Sequence, residues 1–294
     1  MTLPKVRTFA PELWGEVDIF SIFYVGTYTF KPDTKKAISG VKNHFEKALT
    51  LYQLAKKLLP SLAIDDEELQ RKGYTEAVNA KEFSAVLEEV FTELYSSIDC
   101  TRKVVVSIYS RTRGLPDSTR KLFQKVRSNR LGDDFPIELK RAIAKADWYD
   151  ELLTIRDELT HSDIGSCRMD RETKLVTYMH RGIKRKGKPL IIDDVIGTID
   201  LLIESINIFL GTVYQFLISQ LKPTTIDLPC GLFYGRCYLR RLSLEQKIDI
   251  NSGICQSYIW FDNDLQYRCP LVGSCGAYKR AKSEFNETPS VPVS

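Results

Sequence analysis

The chain has 294 residues, of which 43% are hydrophobic, and its 42 basic residues exceed its 38 acidic residues by four. This length fits one large domain or two modest ones, and the apolar fraction is large enough for a packed core, which excludes an intrinsically disordered chain. The small net charge does not indicate nucleic-acid binding by itself. Any basic surface for nucleic acid must therefore be local.

The sequence favours a cytoplasmic location. Residues 1–10 lack the apolar run of a signal peptide. The most apolar stretch, residues 195–221, is interrupted by Asp200, Glu204 and Asn207 and is too polar for a simple membrane span. Seven cysteines spread over a long chain are unlike the framework of a small secreted protein. We expect no contact with a membrane.

The first two thirds of the chain have mainly helical patterns. Residues 1–34 form an N-terminal segment whose aromatic run, residues 20–30, fits either a short strand or a helix broken at a glycine. Apolar residues at steps of three and four predict helices over residues 34–59, 79–109 and 137–160, with a shorter helix after residue 116. Two apolar runs around a basic loop predict a β-hairpin at about residues 174–192. Asp193 and Asp194 precede a long helix over residues 195–221.

A change in composition after Pro223 predicts a second region. Residues 223–283 contain short apolar runs with Gly, Cys and aromatic residues, which predict a small β-rich module. Its last two strands, residues 254–261 and 265–267, are expected to meet at a turn over residues 262–264. Residues 284–294 are expected to be a disordered tail. The predicted fold class is mainly α, a helical bundle over residues 35–222 with an inserted hairpin, followed by this module.

Only three histidines are available for acid–base chemistry. His44 is expected to be structural, and His180 to be structural or to face RNA. His161 follows the predicted end of a helix, where the helix dipole favours the charged imidazole, so it can act as a general acid or base near neutral pH. Arg156 precedes it by five residues and carries a permanent, fork-shaped cation. This combination suits a phosphodiester substrate and needs no metal ion.

The segment from Arg156 to His161, with the letters RDELTH, resembles the R-x4–6-H motif of the HEPN superfamily of helical-bundle proteins, which includes metal-independent ribonucleases. The resemblance covers about residues 35–221, and it lies in the succession of predicted helices rather than in identical residues. It implies a homodimer with a composite RNA-cleaving cleft, in which Arg156 and His161 are the catalytic pair and Asp157 helps to orient them. It also implies an acidic residue on the earlier helix, for which Asp99 is the candidate and Glu93 the weaker alternative.

The resemblance further implies a toxin or anti-phage effector that cleaves RNA, with an antitoxin or an activating protein as a second partner. Two alternatives stay open. A non-catalytic version of the bundle would dimerise and bind RNA or protein. An unrelated protein would use Arg156 to pair with Glu151 or Glu158 on a solvated face, and His161 only to cap its helix. The sequence has no nucleotide-binding or zinc-protease motif, so no cofactor is expected.

Basic residues are concentrated near the motif. Twelve Lys and Arg against four Asp and Glu lie between residues 101 and 145. The tip of the predicted hairpin adds the candidate RNA-binding residues Arg181, Lys184, Arg185 and Lys186. Such residues can neutralise RNA phosphates, although a solvated protein face has the same composition.

Five cysteines lie in the C-terminal module. Buried free thiols are the favoured interpretation and no metal is expected, because the closest cysteines are spaced more widely than the usual zinc ligands and no C-x-x-C occurs. Disulfides are one alternative. A structural zinc is the other, held by Cys237, Cys255, Cys269 and Cys275.

Overall fold

The computed structural model describes residues 15–159, 165–185, 188–245, 248 and 251–287. The described chain is mainly helical, as the sequence predicts. The helices are α1 (Gly15–Phe23), α2 (Pro32–Leu58), α3 (Leu62–Lys72), α4 (Val78–Ile108), α5 (Thr119–Arg127), α6 (Ile137–Ala144), α7 (Tyr149–Leu159), α8 (Val195–Ser219), α9 (Tyr258–Asn263) and α10 (Gly276–Glu287). Short 3₁₀ turns lie at Tyr24–Gly26, Leu59–Ser61 and Leu265–Tyr267.

The described strands form two antiparallel sheets of three strands each, in the orders β1-β2-β3 and β4-β5-β6. The strands are β1 (Ser166–Met169), β2 (Val176–Arg185), β3 (Lys188–Ile192), β4 (Thr225–Phe233), β5 (Arg236–Ser243) and β6 (Ile254–Cys255). β2 and β3 are the predicted hairpin. β1 was not expected, and it pairs with β2 from Ser166 opposite Met179 to Met169 opposite Val176.

The chain divides into two compact units, Phe30–Val213 and Met1–Thr29 with Tyr214–Ser294. The boundaries therefore lie at residues 29 and 213, whereas the sequence places them at residues 34 and 222. The second unit begins inside α8 because the N-terminal segment packs there. Phe20 lies edge-on to Tyr214 with ring centroids 5.3 Å apart, and the backbone N–H of Lys222 donates to Thr27 Oγ1 at 2.8 Å.

Unit Phe30–Val213 is organised around the pair α2 and α4. α2 begins with Pro32, whose fixed φ suits the first helical position, and Lys56 and Lys57 lie in its last turn, where they complement the helix dipole. The two helices bury apolar faces with helical periodicity. These faces comprise Ile38, Val41, Phe45, Ala48, Tyr52 and Ala55 on α2, and Phe83, Leu87, Val90, Leu94, Ile98 and Val105 on α4.

An aromatic cluster joins the shorter helices to this pair. The ring of Phe123 on α5 stacks on that of Tyr149 at the start of α7, with centroids 3.6 Å apart, and Tyr149 also lies beside Tyr95 on α4. Both Phe123 and Tyr149 are almost fully buried. The cluster therefore holds the first turn of α7 against α4, and α7 carries the arginine of the predicted motif.

The single helix predicted over residues 137–160 is in fact two helices, α6 and α7. The side chain of Asp147 accepts the backbone N–H of Trp148 at 2.9 Å, a local hydrogen bond that competes with helical pairing. Asp194 caps α8 as predicted, since its Oδ1 accepts the backbone N–H of Gly197 at 3.0 Å.

The prediction for the end of the chain was partly wrong. Residues predicted as a strand from 254 to 261 form the short β6 and then α9, because Tyr258, Phe261 and Tyr278 pack as an aromatic group against α10. Leu265–Tyr267 is a 3₁₀ turn rather than a strand. Residues 284–287, assigned to the disordered tail, belong to α10. The aromatic run at residues 20–30 begins in the last turn of helix α1 and continues through the 3₁₀ turn Tyr24–Gly26.

Within the described residues, α8 has the length and composition that a membrane-crossing helix requires. A buried core helix meets the same criteria. α8 buries one face inside the protein, with Ile199, Ile206 and Leu210 fully inaccessible. Leu201 and Ile208 on the same helix are exposed.

Candidate active site

Arg156 lies in the last turn of α7 and is held by two neighbours. Its Nη1 donates to Asp157 Oδ1 at 3.0 Å, and its guanidinium lies over the ring of Tyr95, 4.9 Å from the centroid. Tyr95 belongs to the buried face of α4, whereas the Arg156 side chain is 37% exposed. A cation over an aromatic face is attracted by the ring quadrupole. Tyr95 and Asp157 therefore fix the orientation of the Arg156 guanidinium, and part of the side chain stays exposed to solvent.

Asp157 lies between two guanidinium groups. One is that of Arg156, and the other is that of Arg120, whose Nη1 lies 3.5 Å from Asp157 Oδ2. Arg120 is in the first turn of α5, and its side chain is 59% exposed. The carboxylate therefore spaces two cations on neighbouring helices, an arrangement suited to a phosphate group.

Asp99 on α4 is the centre of a second set of hydrogen bonds. It accepts from Thr119 Oγ1 at 2.6 Å and from Arg102 Nη2 at 3.0 Å, and it pairs with Lys103 Nζ at 3.0 Å. Burial raises the pKa of Asp99, but the hydrogen bonds from these three residues outweigh burial and lower it to about 2. Asp99 is thus ionised at neutral pH, and it holds groups in place rather than exchanging protons.

The start of α5 connects these two sets. Thr119 bonds to Asp99, and the next residue, Arg120, pairs with Asp157. We refer to the connected residues as the α4–α5–α7 cluster. They are Tyr95, Asp99, Arg102, Lys103, Thr119, Arg120, Arg156 and Asp157. Four of these side chains are basic and two are acidic, so the cluster has a net positive charge that favours an anionic ligand.

The structure thus brings together Arg156 and Asp157 directly, and Asp99 through α5. Sequence reasoning missed Tyr95, Thr119 and Arg120 as members of the site. One usable signal was the spacing of Tyr95 and Asp99, four residues apart on a helix, which places them on the same face. No local signal connects Thr119 or Arg120 to the motif, because α5 meets α4 and α7 only in three dimensions.

His161 lies outside the described residues. The first described residue after it, Gly165, donates its backbone N–H to Glu88 Oε1 at 2.6 Å, and Tyr178 donates its hydroxyl to the same oxygen at 2.8 Å. Glu88 and Tyr95 are seven residues apart on α4, about two turns on one face. The described residues on either side of His161 in sequence therefore contact the same face of α4.

The other histidines have structural surroundings. His180 is buried within β2, with 2% of its surface exposed, which favours the structural alternative. His44 Nδ1 lies 2.6 Å from Glu93 Oε2, and Lys47 Nζ donates to Glu93 Oε1 at 2.6 Å. Glu93, the weaker acidic candidate, is buried in this contact between α2 and α4 and is not part of the α4–α5–α7 cluster.

The structure describes the candidate RNA-binding residues of the hairpin by their backbone positions only. Arg181, Lys184 and Arg185 belong to β2, which has an irregular register between His180 and Lys184. Lys186 lies outside the described residues. Strand β2 therefore continues through residues 181–185, which the sequence predicts to lie in a basic loop.

The structure has all seven cysteines as free thiols. Cys237, one of the four candidate zinc ligands, is exposed, whereas Cys255 is buried and Cys269 and Cys275 are half-buried. Among the described residues, no three His, Cys, Asp or Glu side chains are arranged to hold a metal ion.

Comparisons of the chain with protein-family models, with curated proteins and with solved structures find no significant match.

Proposed function

We propose that the protein is a metal-independent endoribonuclease of HEPN type, and that the α4–α5–α7 cluster binds the scissile phosphate. The observation that carries the proposal is the placement of Arg156. Its guanidinium is supported by Tyr95 and by Asp157, with Arg120 on the other side of the same carboxylate. Two spaced guanidinium groups at a partly exposed site suit a phosphodiester better than a small neutral substrate.

The proposed reaction is an internal phosphoryl transfer. The ribose 2′-OH attacks the adjacent phosphorus, the bond to the 5′ oxygen breaks, and the products are a 2′,3′-cyclic phosphate and a 5′-OH. His161 takes the proton from the 2′-OH or returns one to the leaving 5′ oxygen, as a general base or acid. Arg156 stabilises the charge that develops on the phosphate oxygens. The proposed reaction consumes no oxidant and uses no metal ion or cofactor.

Asp157 and Asp99 are positioning residues in this proposal. Asp157 holds Arg156 and Arg120 apart at a defined spacing, and Asp99 holds the start of α5 through Thr119. The low pKa of Asp99, about 2, keeps it charged wherever RNA cleavage would be measured. Neither carboxylate is required to exchange a proton.

The remaining parts of the proposal rest on the resemblance. They are a homodimer that completes the cleft, RNA as substrate, and a role as a toxin or defence effector with an antitoxin or activator as partner. The proposed cytoplasmic location rests instead on the N-terminal sequence and on the scattered cysteines. The basic residues between positions 101 and 145 support an RNA partner, because three of them, Arg102, Lys103 and Arg120, belong to the cluster.

The test is cleavage of a mixed RNA pool in excess EDTA by the wild type, Arg156→Ala and His161→Ala. We expect cleavage by the wild type and a loss of at least about 100-fold in each variant, the usual scale for removing an acid–base group or a group that stabilises the developing charge. The control is Arg71→Ala, which removes an exposed arginine of α3 and should cleave normally.

Three outcomes would overturn the proposal. Equal cleavage by the wild type and both variants would place the chemistry elsewhere. Equal cleavage of DNA, which has no 2′-OH, would exclude the proposed attack. RNA binding without cleavage, unchanged in His161→Ala, would identify the non-catalytic binding module instead.

A further inference from the structure

A groove lies between the segment that joins α6 to α7 and the helix α8. Its volume of about 290 Å³ is close to the lower end of the range for small-molecule sites, about 300–1,000 Å³. Both apolar and polar side chains line it. They include Trp148, Ile208, Phe209, Lys145, Ser205 and Thr212. We refer to it as the Trp148 groove.

Trp148 gives the groove a large aromatic wall. Its ring is half-buried and is held by Phe209 of α8, with ring centroids 5.8 Å apart and the two planes at 78°. Ile208, beside Phe209, has 48% of its surface exposed. A flat aromatic ring bound in the groove would stack on the indole and cover Ile208. Aromatic side chains at a partly exposed site are the usual platform for an unpaired base of a nucleic acid.

The polar groups of the groove match the edge of a nucleobase, which carries both hydrogen-bond donors and acceptors. Thr212 donates its hydroxyl to the backbone carbonyl of Ile208 at 2.7 Å, so its oxygen can still accept. Ser205 can donate or accept, and Lys145 can donate. The groove can therefore bond to the edge of a base while the indole stacks on its face.

Helix α5 connects the Trp148 groove to the α4–α5–α7 cluster. The helix has four basic residues and no acidic one. It runs antiparallel to α7, because Arg120 at its start pairs with Asp157 near the end of α7, and Arg127 at its end pairs with Asp150 in the first turn of α7. Arg120 and Arg127 are seven residues apart, which places them on one face of α5 at a separation of about 10.5 Å.

Arg127 repeats the arrangement of Arg156 at the other end of α7. Its guanidinium lies 5.9 Å from the centroid of the Phe123 ring and pairs with Asp150, and its side chain is 28% exposed. Its Nη2 also donates to the backbone carbonyl of Ala146, a residue that lines the Trp148 groove. Two partly exposed guanidinium groups, each held by an aromatic ring and a carboxylate, suit two phosphates of one strand.

The distance between the groove and the cluster corresponds to a short stretch of RNA. Trp148 and Arg156 are eight residues apart, which is about 12 Å at the rise of an α-helix. Stacked nucleotides rise about 3.4 Å each along a strand, and nucleotides of an unstacked strand are farther apart. Two or three nucleotides therefore reach from a phosphate at Arg156 to a base at Trp148.

We propose that the Trp148 groove binds one base of the RNA substrate, two or three nucleotides from the cleaved bond, and that Arg127 and Lys145 bind the phosphates between. The inference rests on the proposed ribonuclease function and narrows its substrate to single-stranded RNA. A base paired in a duplex is stacked between its neighbours and cannot enter the groove without being unpaired and unstacked.

The first test is cleavage of a single-stranded oligoribonucleotide by the full chain. We expect Trp148→Ala to lower kcat/KM by about 5- to 150-fold, the equivalent of about 1–3 kcal/mol for one stacked base. Trp148→Phe keeps an aromatic face and should retain most of the activity, and Trp260→Phe, in the C-terminal module, is the matched control. A strand with one abasic nucleotide two or three positions from the cleaved bond should show the same loss with the wild type, and no further loss with Trp148→Ala.

A binding measurement separates this inference from the proposed activity. A 2′-O-methyl oligoribonucleotide lacks the attacking hydroxyl, and it should quench the tryptophan fluorescence of the wild type and of Trp260→Phe, but not that of Trp148→Phe. Quenching of this pattern without cleavage of any RNA would contradict the ribonuclease and support the base site. The base site is overturned if the wild type shows no quenching, if quenching persists in Trp148→Phe, or if RNA is cleaved equally well by the wild type and Trp148→Ala.

Discussion

The guanidinium of Arg156 lies over the ring of Tyr95, 4.9 Å from its centroid, and this contact joins the motif helix α7 to α4. The ring is almost fully buried, so it forms a rigid floor under a cation that is partly exposed. The contact fixes where the arginine lies before any ligand binds. Preorganisation of this kind is what a phosphate-binding arginine requires.

We expect Tyr95→Ala to reduce kcat/KM for RNA cleavage by about 2- to 30-fold, the equivalent of a cation–π contact of about 0.5–2 kcal/mol. Tyr95→Phe keeps the ring face and should retain most of the activity. Steady-state cleavage kinetics, with unfolding in urea as a check on folding, measure the effect. Equal losses in the two variants would assign the effect to the hydroxyl and not to the ring.

Replacement of Asp99 by Asn should lower the free energy of unfolding by about 1–2 kcal/mol at pH 7, because the neutral amide loses the charge-assisted hydrogen bonds from Thr119, Arg102 and Lys103. The pKa of Asp99 is lowered from 3.8 to about 2 by folding. Its carboxylate therefore stabilises the fold above about pH 4, and this contribution is lost as the pH falls toward 2.

Urea unfolding of the wild type and Asp99→Asn between pH 7 and pH 2 tests this dependence. The difference in stability between the two proteins should shrink over the interval from about pH 4 to pH 2. Asp117→Asn, at an exposed carboxylate just before α5, is the matched control and should track the wild type. A stability difference that stays constant with pH would show that the charge of Asp99 contributes nothing.

Glu88→Ala should destabilise the protein by about 1–3 kcal/mol, because it leaves the buried hydroxyl of Tyr178 and the backbone N–H of Gly165 without their acceptor. Under the proposed function it should also reduce RNA cleavage, since Gly165 follows His161 by four residues. Glu88→Gln keeps a carbonyl oxygen and should be milder. Urea unfolding and cleavage assays measure the two effects, and wild-type behaviour of Glu88→Ala would contradict them.

Asp65 caps the N-terminus of α4 from the neighbouring helix α3. Its carboxylate accepts the backbone N–H of Ala80 and the side-chain amide of Asn79, both at 2.7 Å. The residue before α4, Ala77, has a φ of 54°, so the chain enters the helix through a strained turn. We expect Asp65→Ala to lower the free energy of unfolding by about 1–2 kcal/mol.

The matched control for this substitution is Asp66→Ala, which removes a surface ion pair with Arg171 and should cost less than about 1 kcal/mol. Thermal or urea unfolding distinguishes the two variants. Equal losses of stability would indicate that the cap at α4 makes no special contribution.

Much of the helical unit was predictable because its patterns are local. Apolar residues at steps of three and four mark α2 and α4, and Asp194 marks the start of α8. The hairpin β2–β3 follows from two apolar runs on either side of a basic segment. The break between α6 and α7 escaped the same reasoning, because a local hydrogen bond from the backbone N–H of Trp148 to the side chain of Asp147 interrupts an otherwise continuous helical pattern.

The module after residue 223 was harder to predict. Tyr258–Asn263 has the composition of a strand, but in the fold it is helix α9, because packing of its aromatic side chains with Tyr278 of α10 overrides local propensity. The missed strand β1 is only four residues long, and it is defined by its pairing with β2 rather than by its own amino-acid sequence.

The helical class, the hairpin and the adjacency of Arg156 and Asp157 follow from local sequence, since each depends on residues within a few positions of one another. The contacts of Tyr95 and Arg120 with the motif helix, and the bond between Asp99 and Thr119, appear only in the fold. So does the place of Cys230, rather than Cys237, beside Cys255, Cys269 and Cys275. Helix packing and strand register, with its bulge, bring these groups together. Both depend on contacts between residues far apart in the chain.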